Sequence, residues 1–221
     1  MNFIIGIFKL YKERFDFFTE LFIQHVLLSI TAIIFITVIG LLLGIYITRN
    51  KKAAGIVLGI TNFLYTIPSI ALFGFLVAIS GIGNKSALIA LTVYGVLPII
   101  RNTYVGICEV DPQIIESAVA MGSTNMQLLF KVQFPLALPV IIAGFRTMVV
   151  MTIALCGIAS FIGAGGLGVA IWRGITTNYP EMTAAGSILV AMLAVVVDYF
   201  LGVLEKKIRK RVLGIEKIGG M

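Results

Sequence analysis

The hydrophobic residues of this chain are grouped into long blocks that charged residues do not interrupt. No Lys, Arg, Asp or Glu occurs in residues 21–48 or in residues 53–84. Three further apolar blocks cover residues 86–108, about 138–162 and about 183–204, each with one isolated charge. Residues 163–181, between the last two blocks, are Gly-rich and mildly polar, and we expect them to form a loop. Every block is long enough to cross a bilayer as a helix, which needs about 20 residues. The pattern predicts an all-α membrane protein with five transmembrane helices.

The two ends of the chain differ from these blocks. Residues 1–22 mix apolar and charged residues, which is typical of an amphipathic helix lying at the membrane surface. Residues 23–205 form the predicted transmembrane domain, and residues 206–221 form a basic tail. If the first segment inserted fully into the bilayer, the chain would have six spans instead of five.

The composition agrees with an integral membrane protein. Hydrophobic residues make up 59% of the chain and charged residues 12%, and the mean hydropathy is +1.07. The net charge of +7 is explained by basic residues held on the cytoplasmic side and does not indicate nucleic-acid binding. A cytoplasmic C-terminus places ten basic residues on inner segments against five on outer ones. We therefore expect the N-terminus outside and the C-terminus inside.

Residues 111–135, between the third and fourth spans, form the longest polar segment in the middle of the chain. Asp111 is a good helix N-cap and Pro112 a good first helical residue. Gly122 is suited to end that helix in a left-handed conformation. Thr124 and Gln127 have the spacing of a capping box that opens a second helix. This segment is either a contact site for another protein or an ordinary connecting loop.

Three charged residues fall inside predicted spans: Arg101, Arg146 and Asp198. In the expected orientation all three lie in the cytoplasmic halves of their helices. A charge in the middle of the bilayer costs about 2.5–3.5 kcal/mol on insertion scales, so pairing would be favourable. We expect Asp198 to pair with Arg146 or Arg101. The alternative is that each side chain extends to the inner interface, which Asp does poorly.

Prolines interrupt the second and third spans. Pro68 follows Tyr65 and two further residues in the second block, and Pro98 lies in the third. Each proline frees a backbone carbonyl and bends its helix. The bends are either packing features or part of the wall of a transport pathway. Tyr65 and other aromatic residues nearby would suit a quaternary ammonium ligand.

Catalytic and cofactor motifs are not apparent in the sequence. Residues 163–168 have the spacing G-x-G-x-x-G, but a predicted membrane helix precedes them, so we interpret them as a site of close helix packing or a hinge. The chain has no phosphate-binding loop of the form G-x-x-x-x-G-K-[ST], so it has no ATP site of its own. His25 is the only histidine, and Cys108 and Cys156 fit no metal-binding spacing. We therefore expect neither a metal site nor an enzyme.

The polar segment resembles the cytoplasmic loop of permeases in binding-protein-dependent ABC importers. That loop has the form E-A-A, then G, then I-x-L-P at fixed spacings, which Glu116-Ser117-Ala118, Gly122 and Val132-Gln133-Phe134-Pro135 match. Ser117, Val132 and Phe134 are mild departures that leave the glycine and the final proline in place. The resemblance implies a cytoplasmic coupling helix that docks on a separate ATPase. Its expected contact and coupling residues are Ile114, Ile115, Glu116, Ala118, Met121 and Gly122.

Residues 65–72, 97–104 and 162–168 are similar to one branch of these permeases, the importers of glycine betaine, carnitine and choline. The resemblance implies a bacterial inner-membrane protein that forms half of a pathway with a second permease. ATPase subunits and an extracytoplasmic binding protein would complete the importer, with ATP used only by the ATPase. Methionine importers have a similar five-span permease and remain an alternative. A standalone channel or secondary carrier is a third possibility.

Overall fold

The computed structural model describes residues 2–214, and every regular element in that range is a helix. The helices are α1 (Asn2–Glu13), α2 (Phe15–Thr48), α3 (Lys51–Thr66), α4 (Ser69–Ser80), α5 (Asn84–Cys108), α6 (Pro112–Ala120), α7 (Asn125–Gln127), α8 (Phe134–Ala159), α9 (Gly168–Thr176) and α10 (Pro180–Leu213). A π-helical turn, Leu128–Gln133, joins α7 to α8, and a 3-10 turn, Ser160–Ile162, follows α8.

Four helical runs in the described part of the chain are long and apolar enough to cross a membrane. They are α2, α5, the continuous run Asn125–Ile162, and α10. The pair α3 and α4 is bent by 99° and makes a fifth crossing if it is counted as one span. The count is therefore four or five, and the predicted five requires that the bent pair crosses.

Contacts between distant segments define two opposite ends of the bundle. At the polar-segment end, which holds residues 111–125, the Arg49 guanidinium donates to the carbonyl of Asn125 (2.7 Å). At the glycine-loop end, which holds residues 163–168, the amide of Gly83 donates to the carbonyl of Ile162 (2.9 Å). The chain enters α3 directly after Arg49 and leaves α4 just before Gly83. The bent pair therefore runs from one end of the bundle to the other.

The core forms where α5 packs between α2 and α8. Glycines allow the backbones of α2 and α5 to approach closely. A Cβ atom added at Gly40 would lie 2.6 Å from Cγ2 of Ile99, and one added at Gly95 would lie 2.4 Å from Cδ1 of Ile36. The small residues in these apolar blocks are thus used for helix–helix contact.

Pro68 breaks the second span completely, where the sequence predicts only a bend. Ile67 has an extended backbone (φ −68°, ψ 128°), as expected for a residue before proline. Helix α3 therefore ends at Thr66. The Tyr94 hydroxyl on α5 donates to the carbonyl of Ile67 and satisfies a group that the break leaves exposed. Pro98, in contrast, lies inside α5, which continues through it.

The N-terminal helix α1 has 12 residues, fewer than a membrane crossing needs. Its buried face, with Ile7 and Leu10, packs against α10. The Tyr11 hydroxyl donates to the carbonyl of Ala185 (2.7 Å), and burial raises the pKa of this hydroxyl above its ordinary value. The short helix α1 thus packs against the end of α10 that lies near the glycine loop.

Two segments differ in detail from the sequence-based expectation. The region between residues 163 and 181, predicted as a loop, contains the amphipathic helix α9 with Trp172. Helix α10 continues past the expected end of the fifth span as far as Leu213. The last residues of the predicted basic tail, 215–221, lie outside the described part of the chain.

Candidate functional site

Helix α6 in the polar segment begins and ends as its residues predict. The Asp111 carboxylate accepts a hydrogen bond from the amide of Gln113 (2.8 Å), and Pro112 is the first helical residue. Gly122 has a φ of +83°, in the left-handed region that favours glycine. Thr124 and Gln127 form the predicted capping box, with each side chain accepting from the other residue's amide. The local structure of the segment is thus confirmed.

The second helix of the polar segment is not a separate element. It starts at Asn125 and continues through the π-helical turn into α8, so one helical run reaches Ile162. The π-helical turn lies directly before the first turn of α8, which contains Pro135. Proline lacks an N–H group, which prevents a regular hydrogen bond to the preceding turn. A force applied to α7 would therefore reach α8 without crossing a flexible link.

The predicted coupling residues divide into exposed and buried ones. Ile114 is 42% exposed and Met121 81% exposed, while Glu116 is exposed and Ile115 half-buried. Ala118 is only 3% exposed, because this side of α6 packs towards the π-helical turn. Ala118 therefore packs inside the polar segment. The resemblance, in contrast, implies that it contacts the ATPase.

Other exposed apolar side chains lie in the same segment as Ile114 and Met121. Val119, Met126 and Phe130 are each more than half exposed, although they belong to an otherwise polar segment. The exposed apolar residues Ile114, Val119, Met121, Met126 and Phe130 are called the loop patch below. Val119, Met126 and Phe130 were not among the predicted contact residues; for Met126 and Phe130, the i, i+4 spacing on one helical run was the available signal.

Arg49 is a further residue that the sequence did not single out. It follows the last residue of α2, and its guanidinium reaches the carbonyl of Asn125 at the start of α7 (2.7 Å). A charged donor makes this a relatively strong hydrogen bond. The contact ties the end of α2 to the helical run that continues into α8.

Arg146 on α8 forms an ion-pair cluster with two acids on α10. Its Nε and Nη2 donate to the two carboxylate oxygens of Asp198 (2.6 and 2.8 Å), and its Nη1 donates to Glu205 (3.0 Å). The structure thus pairs Asp198 with Arg146, one of the two expected arginines. Arg101 is exposed on α5, with no acid at ion-pair distance among residues 2–214. The sequence analysis missed Glu205 because it lies just beyond the predicted span.

The aromatic pathway candidates lie beside the break in the second span. The rings of Tyr65 and Tyr94 meet edge to face, with centroids 6.0 Å apart. The Tyr65 hydroxyl lies 3.5 Å from the sulfur of Met151 on α8. Pro98 is half-buried and lies in α5 one helical turn after Tyr94. Tyr65, the Pro68 break and α8 therefore share one region of the molecule.

The glycine loop is a packing site in the structure. A Cβ atom at Gly168 would lie 1.9 Å from the carbonyl oxygen of Gly157, and one at Gly166 would lie 3.2 Å from Nδ1 of His25. His25 is fully buried, and its Nε2 lies 3.1 Å from the carbonyl of Ile153. Within residues 2–214, no three His, Cys, Asp or Glu side chains form a group that could bind a metal.

Comparison with protein families gives one match over most of the chain. Residues 36–210 match the family described as binding-protein-dependent transport system inner membrane component. The matched range starts within α2 and ends within α10, so it contains the polar segment, the ion-pair cluster and the glycine loop.

Several curated relatives match this chain over most of their own length. A carnitine transport permease protein of Listeria monocytogenes is 40% identical over 197 residues, covering 89% of this chain and 90% of that protein. A choline transport system permease protein of Bacillus subtilis is 42% identical over 185 residues, covering 84% and 85%. An ergothioneine transport permease and binding protein of Helicobacter pylori is 44% identical over 170 residues. The chain spans only about a third (31%) of that longer protein.

Solved ABC transporter structures are similar to this chain in fold. The inward-facing methionine ABC transporter has a chain with a TM-score of 0.74 and 26% identity, covering 86% of this chain and 95% of that one. A chain of an amino acid ABC transporter with histidines has a TM-score of 0.75 at 17% identity, which supports the fold alone.

Proposed function

Because this chain belongs to the family of binding-protein-dependent transport system inner membrane components, we propose that it forms half of the translocation pathway of an ATP-driven importer. The observation that carries the proposal is the loop patch. Five exposed apolar side chains lie on a capped, polar segment at one end of a membrane bundle. Such a surface is suited to a protein partner.

The proposed partner at the loop patch is a cytoplasmic ATPase. Arg49, Lys51, Lys52 and Lys131 all belong to the polar-segment end of the bundle. An excess of basic residues favours the cytoplasmic side, so we infer that this end faces the cytoplasm, with the N-terminus outside and the C-terminus inside. The α6 segment then acts as the coupling helix.

The proposed coupling follows the rigid connections of the polar segment. Closure of the ATPases would move α6 and α7, and α7 continues into α8 without a break. Arg49 would transmit part of the same movement to α2. Gly122 is important here because its left-handed backbone directs the chain from α6 back to α7. The spans would then switch access from one side of the membrane to the other.

The proposed substrate is a small quaternary amine such as glycine betaine, carnitine or choline. The relatives named for carnitine, choline and ergothioneine transport are 40–44% identical to this chain. These compounds share a trimethylammonium group. Aromatic side chains such as Tyr65 bind this group well, because the ring faces attract a diffuse positive charge.

The remaining parts of the importer would come from other chains. A second permease, either another copy or a homologue, would complete the pathway, and an extracytoplasmic binding protein would deliver the substrate. ATP would be bound and hydrolysed only by the ATPase. This chain would position and move the pathway within the lipid bilayer without chemistry of its own.

Uptake into proteoliposomes tests the proposed substrate. The complete importer should take up labelled carnitine when ATP is supplied on the ATPase side. Excess unlabelled glycine betaine or choline should reduce this uptake by competition, whereas excess methionine should not. Uptake that continues unchanged without ATP would favour a channel or secondary carrier.

An amino acid importer is the second candidate. The fold similarity to the methionine transporter, with a TM-score of 0.74 at 26% identity, supports it. If this candidate is right, the same proteoliposomes should take up labelled methionine or another amino acid, and excess glycine betaine, carnitine or choline should not reduce that uptake.

A further inference from the structure

An open cavity lies between α8 and α10, beside the ion-pair cluster. Its volume is about 670 Å³, within the range of pockets that hold small molecules. It is called the triad cavity below, after the three charged residues in its wall. Its lining residues are Ala143, Arg146, Thr147, Val150, Met151, Ala154, Asp198 and Glu205. Apart from the ion-pair cluster and Thr147, the wall is apolar.

The ion-pair cluster leaves one negative charge uncompensated. Arg146 supplies one positive charge against the two carboxylates of Asp198 and Glu205. Both oxygens of Asp198 accept from Arg146, but only one oxygen of Glu205 does. Arg209 lines a neighbouring cavity with Glu205, yet it is not at ion-pair distance in the described structure. The remaining oxygen of Glu205 is thus available to a cation.

The exposure of these charges indicates that the cavity does not face lipid. The side chains of Arg146, Asp198 and Glu205 are 33%, 40% and 24% exposed. Charged groups within spans face a bundle interior or a water-filled cavity, because exposure to hydrocarbon is costly. We therefore infer that the triad cavity opens to the pathway between this chain and the second permease.

An aromatic side chain adjoins the wall of the cavity. Met151, which lines the cavity, lies 3.5 Å from the hydroxyl of Tyr65. Tyr65 is 45% exposed beside the break at Pro68. An apolar wall, an adjacent aromatic ring and one uncompensated carboxylate suit a group that has methyl substituents and a diffuse positive charge.

We propose that the triad cavity is a transit site for the trimethylammonium group of the substrate, with Glu205 supplying the uncompensated charge. The inference rests on the proposed quaternary-amine function and adds a location within this chain. Asp198 holds Arg146 in place, and Glu205 faces the passing cation.

Cysteine protection tests the site without depending on transport. Thr147→Cys would be introduced into a Cys108→Ser background, since Cys108 is exposed and Cys156 is buried. The assembled importer, in nanodiscs and without nucleotide, would be labelled with a water-soluble maleimide. Choline should slow labelling by about threefold when roughly two-thirds of the sites are occupied. The neutral isostere 3,3-dimethylbutan-1-ol should not slow it.

Two further variants isolate the role of the charge. Glu205→Gln should remove the protection, because it deletes the uncompensated charge while leaving the Arg146–Asp198 pair in place. Glu205→Asp should retain part of it. Ile82→Cys, at the opposite end of the bundle and 78% exposed, should label at the same rate with and without choline.

The following results would contradict the proposed transit site. Labelling of Thr147→Cys that is unaffected by choline, protection that survives in Glu205→Gln, or equal protection by the neutral isostere would each contradict it. A Thr147→Cys side chain that never reacts would contradict a water-filled cavity. If the parent importer takes up none of choline, carnitine and glycine betaine, the proposed function fails. If uptake is normal but protection is absent, only the transit site fails.

Discussion

Single residues are most constrained at the glycine loop. The backbone of α9 approaches α8 so closely at Gly168 that an added Cβ would overlap the carbonyl oxygen of Gly157, at 1.9 Å. Neither backbone can move without disturbing its helix, so the contact excludes any side chain. Sequence spacing alone suggested this use of the glycines, but only the structure identifies the partner.

Gly168→Ala should prevent correct packing of α9. We expect a much lower yield of monodisperse protein in detergent and a lower midpoint of thermal unfolding. Gly55→Ala is the matched control, because a Cβ at Gly55 in α3 meets no atom within 4 Å. Gly55→Ala should be neutral or slightly stabilising, by up to about 1 kcal/mol. Equal stability of the two variants would show that α9 does not pack as described.

Features of single residues could be predicted from the sequence where they depend only on neighbouring residues. The caps at Asp111 and Thr124 depend on neighbours within three residues, so spacing is sufficient to predict them. The partner of Arg49 and the second partner of Arg146, Glu205, are distant in sequence, and the burial of Ala118 depends on the π-helical turn. Such features follow from tertiary packing and could not be derived from spacing.

At the scale of elements, two prolines behave differently: one separates two helices and the other lies inside a continuous helix. At Pro68 the chain separates α3 from α4, and the Tyr94 hydroxyl from α5 satisfies the carbonyl of Ile67. At Pro98 the helix continues: the missing N–H frees the carbonyl of Tyr94, and the Asn102 side chain donates to the carbonyl of Pro98 (2.8 Å). The sequence predicts that a proline disturbs a helix, but the surrounding groups decide between a bend and a break.

The connection between α2 and the polar segment is testable at Arg49. Arg49→Ala removes the hydrogen bond to the carbonyl of Asn125, with Lys52→Ala as a neighbouring exposed control. Because Arg49 is an exposed charged donor, we expect the variant to weaken the coupling between ATPase and spans by about 1 kcal/mol, which corresponds to a factor of about five. ATP hydrolysis stimulated by the loaded binding protein should fall by that factor, while the amount of inserted protein is unchanged. Stimulation equal to that of Lys52→Ala would contradict a role for Arg49.

At the scale of the whole molecule, hydropathy was sufficient to predict four of the five expected spans, and the fifth requires that the bent pair α3 and α4 crosses. Uninterrupted apolar blocks predict helices because a bilayer leaves few other solutions for the backbone. The packing arrangement of the spans was not predictable, because the apolar surfaces of different spans have similar residue patterns. The packing of α1 on α10 and the helix α9 inside an expected loop are examples.

The central claim is that the loop patch receives an ATPase on the cytoplasmic side. A photo-crosslinking amino acid placed at Met121, which is 81% exposed, tests it in intact cells. The same group at Ile82, 78% exposed at the opposite end of the bundle, is the control. Irradiation should join the Met121 variant to the ATPase subunit and leave the Ile82 variant without that product. A crosslink to the ATPase from Ile82, or none from Met121 in a transport-competent importer, would contradict the account.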